Sequence, residues 1–220
     1  MQDDMANTER ELPLFPLGGT VLFPGMNLPL QIFEERYVQM MADITKHDSC
    51  FGVVLIKEGK EVGAPATPYD VGTVAQVIKR EDTPDGRIIL LAQGQERFRS
   101  LDIVQQRPYL IARVELLSFD EPSISQSAMQ VREKYIDYAR LLAGMSNEWM
   151  KDIKVPDEAK ELSYLVAQSL DANPLVKQGL LEMLSVEERL IAEIEILDLT
   201  MEHVRERVRR EGPSQRFSTN

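Results

Sequence analysis

The 220-residue sequence contains a single cysteine, Cys50, and only two histidines, His47 and His203. One cysteine cannot form an internal disulfide, and it cannot supply the thiolates of a cysteine-based zinc site. Two isolated histidines make a poor ligand set for a metal ion. The sequence therefore predicts no disulfide, no metal centre and no cofactor.

Basic residues are scarce relative to acidic ones. The chain has 25 Lys and Arg against 36 Asp and Glu, a formal net charge of -11. Affinity for nucleic acid comes mostly from cationic side chains that neutralise phosphates. The charge balance therefore disfavours a DNA-binding or RNA-binding protein.

Long apolar runs are absent as well. No segment approaches the 18 or so apolar residues that a membrane span requires. The N-terminus, MQDDMANTERE, has neither a basic segment nor an apolar segment of a secretory signal. We expect a reduced, cytoplasmic protein that does not contact a membrane.

The composition changes near Asp120. Before this point, short runs rich in Val, Ile, Leu and Phe are bounded by turn residues, which is typical of strands. One helix, Glu34–Lys46, interrupts them, and Thr83–Gly86 is predicted to form a hairpin turn. The predicted strands are Leu12–Leu17, Met26–Phe33, Phe51–Ile56, Val71–Arg80, Arg87–Arg99 and Tyr109–Leu117.

The second half has helical periodicity. The helices are predicted to begin near Ser125, Pro156, Pro174 and Val186, with Asn173 and Ser185 as N-caps. In the last and longest helix, apolar residues recur at alternating steps of four and three, the spacing of a coiled-coil seam. These residues are Leu190, Ile194, Leu197, Met201, Val204 and Val208.

Three segments contain residue types that occur in phosphate-binding or catalytic sites. The glycines of LFPLGGTVLFPGMNLPL precede prolines instead of a helix start, so the stretch predicts two strands joined by a tight connection and no phosphate loop. His47–Cys50 holds the residue types of a nucleophilic triad, but adjacent side chains diverge, which favours a polar linker. Glu34 and Glu35 fit a helix N-terminus. No catalytic residue is predicted.

A series of short motifs runs through the chain in a fixed order. Those of the first half are LPLFPL from Leu12, VLFPGM from Val21, LPL from Leu28, IFEERY from Ile32, FG from Phe51, VGTVA from Val71, GQERFR from Gly94 and YLIA from Tyr109. In the second half, Lys177–Glu182 and Glu188–Leu190 continue the series. Together these motifs resemble the N-terminal substrate-binding domain of Lon proteases, in register over roughly residues 11 to 210.

The resemblance implies an α+β protein with a PUA-like β-barrel-type lobe carrying one helix, followed by an α-helical lobe that ends in a long helix. The expected limits are 11–120 and 121–212, with disordered tails at 1–10 and 213–220. Lon proteases continue into an AAA+ motor and a Ser-Lys peptidase domain, whose motifs this sequence lacks. We therefore expect a free-standing, non-enzymatic member of the family.

We expect this protein to bind polypeptide clients or a protease partner, as an adaptor or regulator in protein quality control. The alternatives are a PUA-like module for small molecules or nucleic acid, and an unrecognised hydrolase. Passive binding requires exposed apolar surface, for which the candidates are Phe23 and Met26 in the Gly18–Met26 loop, and Met201, Val204 and Val208 in the last helix. The same helix is also a candidate surface for self-association into a homo-oligomer.

Overall fold

The computed structural model of the protein describes residues 9–60, 63, 66–117, 125–146 and 153–211. The side chains of residues 144–146 and 207–211 are outside this description. The tails predicted to be disordered lie outside it too, except Glu9 and Arg10, which form the start of a strand instead. The loop Glu121–Ser123, predicted as an exposed lobe boundary, is likewise outside the described residues.

The order of the elements confirms the α+β class, with strands and one helix first and helices afterwards. The strands and helices are β1 (Glu9–Leu17), β2 (Asn27–Ile32), α1 (Glu35–Ile44), β3 (Cys50–Glu58), β4 (Thr67–Pro68), β5 (Val71–Asp82), β6 (Ile88–Gln105), β7 (Leu110–Leu116), α2 (Gln126–Ser146), α3 (Ala159–Ser169), α4 (Pro174–Glu182) and α5 (Val186–Glu211).

The strands form a closed barrel. They are ordered β1-β7-β6-β5-β3-β4 in the sheet. Strand β1 also pairs with β3 in parallel, and this pairing closes the ring β1-β7-β6-β5-β3. All other pairings are antiparallel. Strand β6 is longer than predicted, because the ladder to β7 continues past two register shifts, between Ser100 and Asp102 and between Ile103 and Gln105. Each shift accommodates an extra residue without ending the strand.

The larger barrel core lies under helix α1. The predicted apolar face of this helix, which consists of Tyr37, Met40, Met41 and Ile44, is buried as expected from helical spacing. It packs in one cluster with inward residues of β2 and β6, among them Leu28 and Leu90. A second cluster around Phe98 fills the remainder of the barrel.

The described residues group into two compact units by their contacts. One contains the strands and α1 together with Ala172–Glu182, and the other contains α2, α3 and α5. Helix α4 therefore packs with the sheet, whereas the expected limit at residue 120 had placed it among the other helices. Its side chains reach the strands directly, since Gln178 Nε2 donates to the carbonyl oxygen of Val71 at 3.0 Å.

The helical unit places α2 and α5 side by side in the same direction. The hydroxyl of Ser125 donates to Glu187 at 2.6 Å, and farther along both helices Lys134 forms an ion pair with Asp198. Helix α3 contacts both of them. The predicted caps are confirmed: Asn173 Oδ1 accepts from Leu175 N–H, and Ser185 Oγ accepts from Glu188 N–H.

Candidate functional site

The loop that was expected to expose Phe23 turns that side chain into the protein. Phe23 is 0% exposed, so the expectation of an accessible side chain here is wrong. Long-range contacts hold the loop down: Thr73 Oγ1 donates to the carbonyl oxygen of Leu22 at 2.6 Å, and Gly25 N–H donates to that of Gly94 at 2.8 Å. Met26 remains half-buried at the margin of the core.

The seam of the C-terminal helix is buried farther along than expected. Met201 and Val204 are each 5% exposed, so they are interior residues of the helical unit. The expectation that these two side chains are accessible to a partner is therefore wrong, while the side chain of Val208 lies outside the described residues. Phe23 and Met26 belong to the other compact unit.

Residues His47 to Ser49 link α1 to β3, and Cys50 is the first residue of that strand. The Cys50 thiol donates to Gln76 Oε1 at 3.0 Å, and its backbone N–H donates to Asp48 Oδ1. Burial, and secondarily the negative charge of Asp48, raises the pKa of Cys50. A raised pKa keeps the sulfur as a thiol, the less nucleophilic form.

The barrel unit contains a cleft of about 470 Å³ beside the start of α1. Its walls come from four separated segments: the end of β1, residues 34–37, residues 63 and 66, and the turn 106–110 between β6 and β7. Sequence analysis named none of these residues as a binding site. The available signal was the resemblance of residues 32–37 and 109–112 to family motifs.

An ion pair and an aromatic ring organise one wall of this cleft. Arg36 Nη2 lies 3.0 Å from Glu34 Oε2, and the Arg36 guanidinium lies 4.4 Å from the centre of the Tyr37 ring. Glu34 Oε2 also accepts from the N–H of Gly63 at 3.3 Å. The Glu34 side chain makes no capping hydrogen bond at the start of α1. Its carboxylate instead holds Arg36 and the backbone of Gly63 at this wall.

The facing wall is fixed by Tyr109, whose hydroxyl donates to Asp43 Oδ2 of α1 at 2.9 Å. Burial, and then the bond to Asp43, raises the pKa of Tyr109 to about 12. Bonds from Lys46 and then from Tyr109 lower the pKa of Asp43. At neutral pH the wall therefore carries a neutral phenol that is held in place by a carboxylate.

The cleft offers aromatic, apolar and charged groups for binding. Its lining combines Tyr rings and Pro side chains with the charges of Arg36, Glu35 and Arg107. Across the described ranges, no cluster of three His, Cys, Asp or Glu residues could hold a metal ion. Among those same residues, no helix has the length and apolar character needed to cross a membrane.

Known proteins resemble this chain along most of its length. Residues 11–198 match the family model for the substrate-binding domain of ATP-dependent protease La (Lon). Lon protease 2 of Herpetosiphon aurantiacus is 31% identical over 94% of this chain, and Lon protease of Flavobacterium johnsoniae is 26% identical over 91%. Each alignment covers 26% of the relative, so the chain spans about a quarter of those proteins.

Solved structures agree with this assignment. The crystal structure of a Lon N-terminal domain protein from Xanthomonas campestris has a TM-score of 0.61 and 25% identity, covering 83% of this chain and 96% of that one. The N-terminal domain of Mycobacterium avium complex Lon protease has a TM-score of 0.58 and 15% identity, with 86% and 98% covered, and supports the fold alone. The chain belongs to the family of Lon substrate-binding domains.

Proposed function

We propose that this protein is a non-catalytic module that binds polypeptide segments. The observation that carries the proposal is the match of residues 11–198 to a domain described as substrate-binding. The substrates of a Lon protease are polypeptides, so the ligand class follows from the family. The matched region is described as a substrate-binding domain, which supports a role in recognition.

The geometry supports binding over catalysis. The cleft has the volume range of sites that hold small ligands or short peptide segments. Its aromatic and apolar walls bury ligand surface, and Arg36 and Glu34 fix their own orientation through a shared ion pair. The one thiol in the chain has a raised pKa and donates to an amide oxygen instead of facing a base.

A binding assay tests the proposal. Reduced, carboxymethylated α-lactalbumin stays unfolded and can be titrated with the purified chain by fluorescence anisotropy, with native α-lactalbumin as the folded control. We expect saturable binding of the unfolded form only, and no ATP hydrolysis or peptide cleavage in parallel assays. Equal binding of both forms, or none of either, contradicts the proposal.

A second candidate function is the binding of a small molecule in the same cleft. It is favoured by the enclosure of Tyr37 and Tyr109, which are 5% and 7% exposed at its walls. A compound screen by thermal shift tests it. A hit whose stabilisation is lost in Arg36→Ala but kept in Arg113→Ala, a change outside the cleft, supports this function.

The finer expectations stay predictions. Polypeptide binding does not by itself imply any of four further properties. These are an adaptor role in quality control, a protease partner, self-association through α5 and a cytoplasmic location. Pull-down with crosslinking from the native lysate addresses the first two, and analytical ultracentrifugation addresses the third.

A further inference from the structure

Strand β2 has a hydrogen-bonding edge that no other strand of the described chain occupies. The strand pairs with β6 on one side, in the register Leu28–Ala92, Leu30–Leu90 and Ile32–Ile88. On its other side, no strand pairs with it among the described residues. Such an edge can template the addition of a further strand.

The direction of each backbone group follows from one bond. Gly94 N–H donates to the carbonyl oxygen of Met26 at 2.9 Å, so Met26 faces β6. Backbone groups alternate between the two sides of an antiparallel strand. Asn27, Pro29 and Gln31 therefore point their backbone groups away from β6, toward the open edge.

Proline occupies the position in β2 where it does least harm to the existing ladder. Pro29 has no N–H, and its missing donor faces the open edge instead of β6. The edge thus offers the N–H groups of Asn27 and Gln31 and three carbonyl oxygens. An added strand loses a single hydrogen bond to the proline.

The edge lacks one common protection against pairing, although it carries another in Pro29. Natural edge strands are often shielded by charged side chains, but β2 reads NLPLQI and contains no charged residue. Leu30 within β2 and Met26 just before it are only partly buried against the core under α1. These side chains form an apolar margin next to the open backbone groups.

We propose that β2 binds its polypeptide client by strand addition, taking an extended, uncharged segment with apolar residues at alternate positions as an antiparallel neighbour. The inference rests on the proposed function and names its mode and ligand class. Client side chains on the core face of the sheet would contact Met26 and Leu30, extending that core. Those that face the other side would lie beside Asn27, Pro29 and Gln31, which are exposed.

A second copy of the chain is a poorer occupant. Two β2 strands paired about a two-fold axis would each bring their own proline, so the missing donor would be duplicated in a short ladder. A client segment brings its full set of donors. The arrangement therefore favours a partner with a different sequence over self-pairing.

Two matched variants test the open edge in the full chain. Gln31→Pro removes an outward N–H without removing a bond to β6, and Gln31→Ala changes the same side chain but keeps that N–H. The probe is a synthetic ten-residue peptide in which valine alternates with serine. Gln31→Pro should bind it about fivefold to tenfold more weakly than the wild type, and Gln31→Ala within about twofold.

A second measurement leaves the protein unchanged, in case Gln31→Pro misfolds. In antiparallel addition, valines that face the apolar margin point their backbone groups away from β2, and the serines point theirs toward it. N-methylation of the serines should therefore abolish binding, while N-methylation of the valines should preserve it. Equal affinity for the two methylated peptides overturns the inference.

The two proposals fail in different ways. If unfolded α-lactalbumin binds but the valine–serine peptide does not, or if Gln31→Pro folds and binds like Gln31→Ala, strand addition at β2 is wrong and polypeptide recognition stands. If neither probe binds the wild-type chain, both proposals are overturned.

Discussion

Gln178 and Val71 are 107 residues apart in sequence, yet the Gln178 side-chain amide donates to the Val71 carbonyl oxygen at 3.0 Å. The same amide nitrogen donates to Glu182 Oε1 at 2.9 Å. Nearby, the guanidinium of Arg97 in β6 donates to the carbonyl oxygen of Leu181. Helix α4 is thus bonded to two strands of the barrel, which explains why it groups with the sheet.

Replacing Gln178 tests this attachment. Gln178→Ala leaves a buried carbonyl oxygen without that donor, so the free energy of unfolding should fall by about 1 to 3 kcal/mol. Val176→Ala, on the exposed side of the same helix, should change it by less than about 0.5 kcal/mol. Urea denaturation followed by circular dichroism measures both. Similar midpoints for the two variants would contradict the attachment.

Gly94 should tolerate no side chain. A Cβ atom at this position would overlap the carbonyl oxygen of Phe23, whereas one at Gly19 meets nothing within 4 Å. Gly94→Ala should therefore lower the free energy of unfolding by about 1 to 3 kcal/mol, and Gly19→Ala should stay within about 1 kcal/mol of the wild type. Thermal denaturation of the pair checks this, and an unchanged melting temperature for Gly94→Ala would show that the loop is not held against β6.

Glu193 should make the stability of the helical unit depend on pH. Its carboxyl is 0% exposed, accepts from Ser163 Oγ at 2.8 Å, and has its pKa raised by burial to about 8. Between about pH 4.5 and 8 the folded chain holds a proton that the unfolded chain has released. Stability should therefore fall as pH rises through this window, by at most about 1.4 kcal/mol per pH unit.

Glu193→Gln reproduces the protonated form at every pH. The variant should match the wild type near pH 5 and exceed it in stability near pH 8, as measured by urea denaturation across this range. Glu195→Gln, at an exposed position two residues away, is the control and should follow the wild type. If the Glu193→Gln and wild-type curves run parallel, Glu193 is ionised in the folded state.

The burial of Val204 predicts that a charge there disrupts the helical unit. Val204→Glu should lower the free energy of unfolding by about 3 kcal/mol or more, since an unpaired carboxylate would replace an apolar side chain that is 5% exposed. Leu199→Glu, on the same helix at a position that is 59% exposed, should cost less than about 0.5 kcal/mol. If Val204→Glu folds normally and loses only self-association, this part of the seam is an interface.

Local periodicity predicted the elements well because it reports on burial of regularly spaced side chains. The face of α1 and most strand positions follow from it directly. It failed for Arg189 and Glu193, which periodicity treats as solvent-facing. Arg189 Nε donates to Ser163 Oγ at 2.5 Å, and Ser163 donates to Glu193, so a serine on another helix is what allows both charged residue types to be buried.

The candidate sites were less predictable because long-range contacts decide which apolar residues are covered. Prolines around Phe23 suggested an exposed loop, but Thr73 and Gly94, which lie far along the chain, hold that loop against the barrel. The cleft combines four segments that only the fold brings together. No spacing within a single segment could have indicated it.

The pairing of β1 has a consequence for synthesis on the ribosome. Its antiparallel partner β7 begins roughly a hundred residues after it, in the register Glu9–Glu115. At about 5 to 20 residues per second, the first strand waits some seconds before the barrel can close. Its parallel partner β3 is synthesised earlier, so in this interval the edge of β1 that pairs with β7 is the one that stays open. An open strand edge can pair with another chain, so protection of β1 by a chaperone during translation would favour correct closure of the barrel.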